Sequence, residues 1–457
     1  MIGTLVPLSA LTSSKQGKND QGTFETGILF LDWLKKTGQN GWQMLPLHLT
    51  QLEKGSSTSR VPSPYKSYGI GLDPKYLSNS KVSDFVFRAS DLEKFVTANL
   101  YWIDDYAFFC ALSDLFGTDD WRRWEIGLRK RKKNILNKWR KKLKKEIDNH
   151  ILIQYLLYFE YEKLKQKAKK LKISLIGDLP FYLPVQSPLV WAHQELFKFG
   201  KSGNLEFVSG IPNTPFAHFG RQIWGHPLYK WGNKKQSKEV ALLWKKRLLY
   251  LSTLFDSIRF DHAKGLFEIG AIDPEMKKID RYIKGPGYSI FKDIVLFGRK
   301  SGLSIFAEDS GEKLTELRIA LGKLKIPGIK IFRFAFNERM KKVNIEYADI
   351  LNYPKNTIAY TTTHDTETLV GYLQKLTLDE RKIISATAKI AYNPDIRKFA
   401  QKIRNSFLNS PAKLIIIPIQ DWLLTTDRIN IPGTEKEKND TNWQYKVEIP
   451  IEELIIA

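Results

Sequence analysis

The sequence predicts an α/β protein, a (β/α)8 TIM barrel with large helical and loop insertions between its strands. Three observations carry this expectation. Eight short apolar, β-branched runs recur along the chain. Amphipathic segments long enough for helices lie between several of them, as parallel strands require, since such strands need a crossover connection. The polar residues that chemistry can use collect at the carboxyl ends of the runs, the face on which barrels of this kind build their sites.

The first run, residues 3–8, is followed by an amphipathic segment at 24–37 and the second run at 42–47. The third, 173–183, comes only after well over a hundred residues, which read as a mostly helical insertion at about 51–170. Within it, RRWEIGLRKRKKNILNKWRKKLKKEIDN (122–149) places Ile126, Leu128, Ile135, Leu136, Trp139 and Leu143 at roughly helical spacing. Lysine and arginine fill the other positions, the pattern of an amphipathic helix with a solvated basic face. A second insertion, 185–246, is a loop region rich in glycine, proline and aromatics. The fourth run (256–261) leads through a helical segment at 288–300 to the fifth (303–308). A segment at 312–321 precedes the sixth (326–336), and the seventh (357–365) is joined to the eighth (413–421) by one at 378–391. Residues 1–457 therefore read as a single catalytic barrel from whose loops two subdomains grow.

Composition excludes more than it selects. One cysteine, Cys110, rules out an internal disulfide framework and suits a reducing compartment. The first twenty residues lack the basic start and long apolar run of a secretory signal, and no stretch approaches ~18 consecutive apolar residues. A cytoplasmic protein with no membrane partner is the expectation. The formal charge of +23 is mostly lysine, much of it in 122–149, and no recognised nucleic-acid motif accompanies it. No nucleic-acid partner is expected.

The run ends carry the chemistry. The third gives IGDLPFY with Asp178, and the fourth gives SIRFDHAKG, where Arg259 and Asp261 stand two apart and so share a strand face. The fifth gives SIFAEDSG with Glu308 and Asp309, and the seventh gives AYTTTHDTET with His364 and Asp365. Paired carboxylates suit the cleavage of a glycosidic bond: one attacks the anomeric carbon while a protonated partner donates to the leaving oxygen. Asp261 and Glu308, on neighbouring strands, suit the ~5–5.5 Å separation of the retaining version. An arginine beside the nucleophile favours its ionised form, whereas the acid needs its pKa raised. Taken singly, each acidic residue is as readily a helix cap or a salt-bridge partner. A divalent metal on Asp178, Asp261, Glu308, His364 and Asp365 is the sharper rival, but no ligand spacing supports it and Arg259 sits badly beside a cation. Neither metal nor cofactor is expected.

Collinear motifs then add a family. GQNGWQMLPL (38–47), SPYKSYGIGLDPKYL (63–77), IDDYAFFCAL (103–112) and IGDLPFYL (176–183) come first. IWGHPLYKW (223–231), RFDHAKG (259–265), KGPG (284–287), AEDSG (307–311) and IPGIKIFRFAF (326–336) follow. YTTTHDTETLVGY (360–372) and INIPGT with NWQYKV (429–447) close the series. The set resembles the amylomaltase, or 4-α-glucanotransferase (disproportionating enzyme), family of the α-amylase-like clan over nearly the whole chain. The resemblance implies transfer of α-1,4-glucan segments between maltooligosaccharides through a covalent glucosyl-enzyme. It makes Asp261 the nucleophile, Glu308 the general acid/base and Asp365 the carboxylate that favours the distorted ring. It assigns Arg259, His364 and Asp178 to the donor-side sugar, and Tyr65 and Trp224 to glucan binding.

The chain departs from the family pattern in the loop GIPNTPFAHFGRQ (210–222), at Phe260 and the AKG after His262, at Thr366 and at Asp73. These departures leave every catalytic group in place and bear on acceptor choice and chain length. Transfer rather than hydrolysis needs an acceptor held in line, where effective molarities of ~10⁵ M or more let a sugar outcompete water. Tyr65, Phe216, Phe219, Trp224 and Trp231 are the aromatics available to build such a cleft. An α-glucan hydrolase of the same clan and a catalytically degenerate glucan-binding protein are the alternatives.

Overall fold

In the computed structural model all eight runs are strands of one parallel sheet. The structure describes the whole chain except residues 15–20, 79–87, 201–202, 213–219, 312–313, 339, 435–440 and 457. The barrel strands are β1 (Ile2–Leu5), β2 (Gly41–Gln43), β3 (Ser174–Leu179), β4 (Ser257–Phe260), β5 (Ser304–Ala307), β6 (Gly328–Ile331), β7 (Thr357–Tyr360) and β8 (Leu414–Pro418). They are hydrogen-bonded in the order β5-β4-β3-β2-β1-β8-β7-β6. The ring closes between β5 and β6, where the Ala307 N–H donates to Pro327 O at 3.0 Å. This is the (β/α)8 barrel that the runs predict.

The strands are short and, beyond the first residue of several, buried, so they read in sequence as continuous apolar runs rather than as alternation. Alternation reappears in what each side chain touches. Leu5, Ile176, Phe306, Ile329, Ile331, Ile358, Tyr360, Leu414 and Ile416 pack together inside the barrel. Ile258, Phe260 and Ala307 face the surrounding helices. Phe260, for instance, stacks on Trp244 of helix Lys234–Leu254 with ring centroids 5.1 Å apart. The period of two therefore points Arg259 inward between Ile258 and Phe260. The register sets it opposite Asp178 on β3 and Phe306 on β5.

The expected helices appear at Phe24–Lys36, Tyr288–Lys300, Thr315–Leu324 and Leu378–Thr387. The basic stretch is not one helix. It breaks into Trp121–Arg123, Ile126–Arg129, Lys133–Lys142 and the start of Lys144–Leu171. The break after Arg129 falls at Arg131, which adopts φ +50°, a conformation no continuous right-handed helix allows. Arg131 and Arg140 are drawn down onto Asp105 and Asp104, while Lys138, Lys141 and Lys145 stay exposed. Helix Lys144–Leu171 then packs on Phe24–Lys36 beside the barrel.

Among the described residues three small antiparallel sheets stand outside the barrel, one of them the two-residue pairing of Phe336–Asn337 with Lys342–Val343. His48–Thr50 pairs with Ser67–Leu72. Val208–Ile211, Gln222–Pro227, Glu268–Ile272 and Arg281–Lys284 form a four-stranded sheet. None was predicted; strand Gln222–Pro227 carries Trp224 to the barrel mouth, and Tyr65 stands there in the turn Pro64–Lys66 that leads into Ser67–Leu72. No helix among the described residues is long and apolar enough to cross a membrane.

Candidate active site

The strand ends of β3, β4, β5 and β7 converge on a cleft of about 920 Å³. Backbone pairing extends past the strands to hold the two central carboxylates: the Asp261 N–H donates to Leu179 O (3.2 Å) and the Glu308 N–H to Phe260 O (3.0 Å). Arg259 stands at the centre with its side chain 6% exposed. Its Nη1 donates to Asp178 Oδ2 at 2.7 Å and to Asp261 Oδ1 at 2.9 Å, and its Nη2 donates to Glu308 Oε2 at 2.8 Å. One planar guanidinium thus gathers three carboxylates from three strands, which a point-charge lysine has no geometry to do.

The turn after β4 contributes backbone as well. His262 adopts φ +47°, and its N–H donates to Glu308 Oε2 at 3.0 Å. Its imidazole is enclosed by Phe181, Tyr182 and Trp224, the last edge-on at 4.8 Å. Burial lowers its pKa to about 4, so the ring is neutral.

The seventh strand end closes the other side. Tyr65 donates to Asp178 Oδ2 (2.7 Å), so its oxygen accepts from His364 Nε2 (2.8 Å), which therefore carries a hydrogen. His364 Nε2 also lies 3.2 Å from Asp365 Oδ2, and Asn430 Nδ2 donates to Asp365 Oδ1 at 2.6 Å. Burial would raise the Asp365 carboxyl, but His364 and Asn430 outweigh it and draw it down to about 2. Asp178 Oδ1 and His364 Nδ1 are buried without a hydrogen-bond partner among the described residues. Each such atom costs about 1–3 kcal/mol, a deficit that a hydroxyl-rich ligand relieves.

The central pair divides its proton unevenly. Burial pushes the Asp261 carboxyl well above the usual range against the pull of Arg259, with Asp178, Glu308 and Asp365 adding to the rise. Burial acts on Glu308 too, but Arg259, the His262 N–H and Ser310 outweigh it and lower its pKa. The expectation that Arg259 simply holds Asp261 ionised is thereby amended: its charge is shared three ways.

All eight residues singled out in the sequence lie in this one constellation or on its wall. Trp224 lines the cleft, its Nε1 donating to Gln222 Oε1 at 2.9 Å. Asp309 turns away, accepting from Ile329 N (2.6 Å) and Arg318 Nε (3.3 Å), and so ties β5 to β6. Trp231 packs on Tyr229 outside the cleft, and Phe216 and Phe219 lie outside the described residues. Sequence reasoning missed Ser310, Asn430 and Trp443. Trp443 lines the cleft beside Tyr65, with ring centroids 5.5 Å apart. All three stood in quoted motifs without a role, Ser310 in AEDSG and Asn430 and Trp443 in the closing one. No group of three His, Cys, Asp or Glu among the described residues has a metal-holding arrangement.

Comparison with known proteins points the same way. A family model described as 4-alpha-glucanotransferase matches residues 75–451. The chain is 29% identical to a 4-alpha-glucanotransferase of Aquifex aeolicus, covering 98% of this chain and 95% of the relative. It is 31% identical to the chloroplastic/amyloplastic 4-alpha-glucanotransferase of Solanum tuberosum, over 92% and 77%. Among solved structures, the amylomaltase from Streptococcus agalactiae in complex with acarbose superposes with a TM-score of 0.81 at 26% identity, covering 98% of this chain and 94% of that one. A family match over most of the chain, full-length relatives and a shared barrel agree with the motif order: the chain belongs to the 4-α-glucanotransferase family.

Proposed function

We propose that this protein transfers α-1,4-glucan segments between maltooligosaccharides by a retaining double displacement, with Asp261 as nucleophile, Glu308 as acid/base and Asp365 as the carboxylate that grips the distorted sugar. The observation that carries the reading is the single guanidinium of Arg259 bridging Asp261 and Glu308 at the head of an aromatic-walled cleft. Two carboxylates bound to one planar group are held close enough to flank one substrate linkage, the arrangement that covalent catalysis uses.

In the first half-reaction an Asp261 oxygen bonds to the anomeric carbon while the proton of Glu308 passes to the departing 4-oxygen. In the second, Glu308 takes the proton of an incoming 4-hydroxyl as that oxygen displaces Asp261. Burial and the neighbouring charges favour the proton on Asp261, whereas attack needs it on Glu308. For so close a pair the proton belongs to both groups, and the oxocarbenium-like centre that develops beside Asp261 favours its ionised form. Asp365, already ionised, is placed to accept ring hydroxyls. Tyr65, Trp224 and Trp443 offer faces to the apolar sides of the sugars. The Streptococcus agalactiae relative holds acarbose, and we take this cleft to accept glucan likewise. Residues 51–170 and 185–246 act as subdomains that shape its acceptor side.

Incubation with maltotriose tests the reading. Glucose plus a ladder of longer maltodextrins is expected, whereas glucose and maltose alone would mean hydrolysis, and binding without turnover a degenerate site. Asp261→Ala is expected to lose roughly 10⁴-fold or more in turnover while remaining folded.

A further inference from the structure

The two oxygens of Glu308 are not equivalent. Oε2 accepts from Arg259 Nη2 (2.8 Å) and from the His262 backbone N–H (3.0 Å), both groups that can only donate. A proton placed on Oε2 would face two further hydrogens, one of them on a cation. Among the described residues Oε1 has one hydrogen-bond partner, Ser310 Oγ at 2.8 Å. A hydroxyl donates to a carboxylate and, after rotating about its C–O bond, accepts from a carboxylic acid. Of the three neighbours only Ser310 accommodates both states.

We propose that Glu308 carries its catalytic proton on Oε1, and that Ser310 is a positioning residue whose hydroxyl turns from donor to acceptor as that proton returns and from acceptor to donor as it leaves. The inference rests on Glu308 being the acid/base. No atom is gained or lost: the proton moves between Oε1 and the glycosidic or acceptor oxygen, and Ser310 keeps its own hydrogen throughout. Ser310 thereby does two things that Arg259 does not. It fixes the side-chain torsion that aims Oε1 into the cleft, and it stabilises the base form in the second half-reaction without opposing the acid form in the first. Other charged and titratable groups surround Glu308 as well: Arg259, Asp261 and His262 from the end of β4, Tyr360 from β7, and Asp178 from β3 on the far side of the Arg259 guanidinium. Ser310 can be removed without touching any of them.

The test is the pH profile of kcat/KM on maltotriose for wild type, Ser310→Ala, Ser310→Thr and Glu308→Gln. Removing a donor to the carboxylate raises its pKa. Ser310→Ala should therefore move upward by about one unit the limb that Glu308 governs, which is the acid limb because Glu308 yields its proton before Asp261. It should lower kcat more than it raises KM. Ser310→Thr keeps the hydroxyl and should restore the wild-type limb. A Ser310→Ala limb superposed on wild type, or a shift that threonine does not reverse, overturns the proposal even where stability falls. Glu308→Gln separates this failure from that of the broader reading. If the glutamine variant is dead while Ser310→Ala titrates as wild type, Ser310 alone is misassigned; if the glutamine variant is active, Glu308 is not the acid/base.

Discussion

At the residue scale the site depends on one cation serving three anions. Arg259 touches Asp178, Asp261 and Glu308 at 2.7–2.9 Å, so Arg259→Lys keeps the charge and loses the geometry. We expect kcat/KM to fall by roughly 10²–10³-fold with little change in thermal stability; a fall of less than a few-fold would show that charge alone suffices. The same contacts set the pH dependence. The productive state holds one proton between Asp261 and Glu308, and burial with its carboxylate neighbours raises the Asp261 pKa while Arg259, the His262 N–H and Ser310 lower that of Glu308. The raised group governs the loss of that last proton, so the alkaline limb of kcat/KM should lie well above the ~3.9 of an ordinary aspartate. A profile already falling with pH at that value would contradict this environment. Sequence order made Arg259, Asp261 and Glu308 visible because a strand period of two puts them on one face of adjacent strands. It paired Glu308 rather than Asp309 with Asp261 without giving a reason, and the alternation from Phe306, which turns Glu308 in and Asp309 out, supplies one. Ser310 and Asn430 were illegible because a serine or an asparagine in a loop is most often a turn residue.

At the element scale, the loop after β7 is held from below. Asp421, fully buried, accepts from the hydroxyls of Thr361 and Thr362, each at 2.6 Å, and from Leu369 N at 2.7 Å. It thus joins the end of β7 to the helix that follows, and the loop between presents His364 and Asp365. Asp421→Ala strands three buried donors. It is expected to cost roughly 2–4 kcal/mol in denaturant unfolding and to lower kcat. Unchanged stability and activity would mean that the loop is held from elsewhere. The eight strands were readable because burial on both faces makes each a compact apolar run. The antiparallel pieces were not, since strands of two to six residues with polar neighbours resemble loops until a partner is known. The basic stretch misled for a related reason: its helical spacing continues through Arg131, and only the left-handed turn there shows the break.

At the scale of the whole molecule, a charge of +23 surrounds a cleft for a neutral ligand. Exposed lysines of the basic stretch, such as Lys138, Lys141 and Lys145, lie on the helical insertion and not among the residues lining the cleft. Replacing these three by glutamine should leave kcat/KM on maltotriose within about twofold at both low and high salt, because screening acts on charge and the substrate has none. A marked loss, or strong salt dependence in the wild type, would assign the basic surface a part in the reaction.

The central claim is that Asp261 bonds to the sugar. Its most direct measurement is the trapping of the intermediate: Glu308→Gln mixed with an α-maltooligosyl fluoride, whose leaving group needs no acid, followed by digestion and peptide mass spectrometry. The account predicts a glycosyl ester on the peptide holding Asp261 and nowhere else. An ester on another carboxylate, or full turnover of the fluoride to a product of inverted configuration, would contradict it.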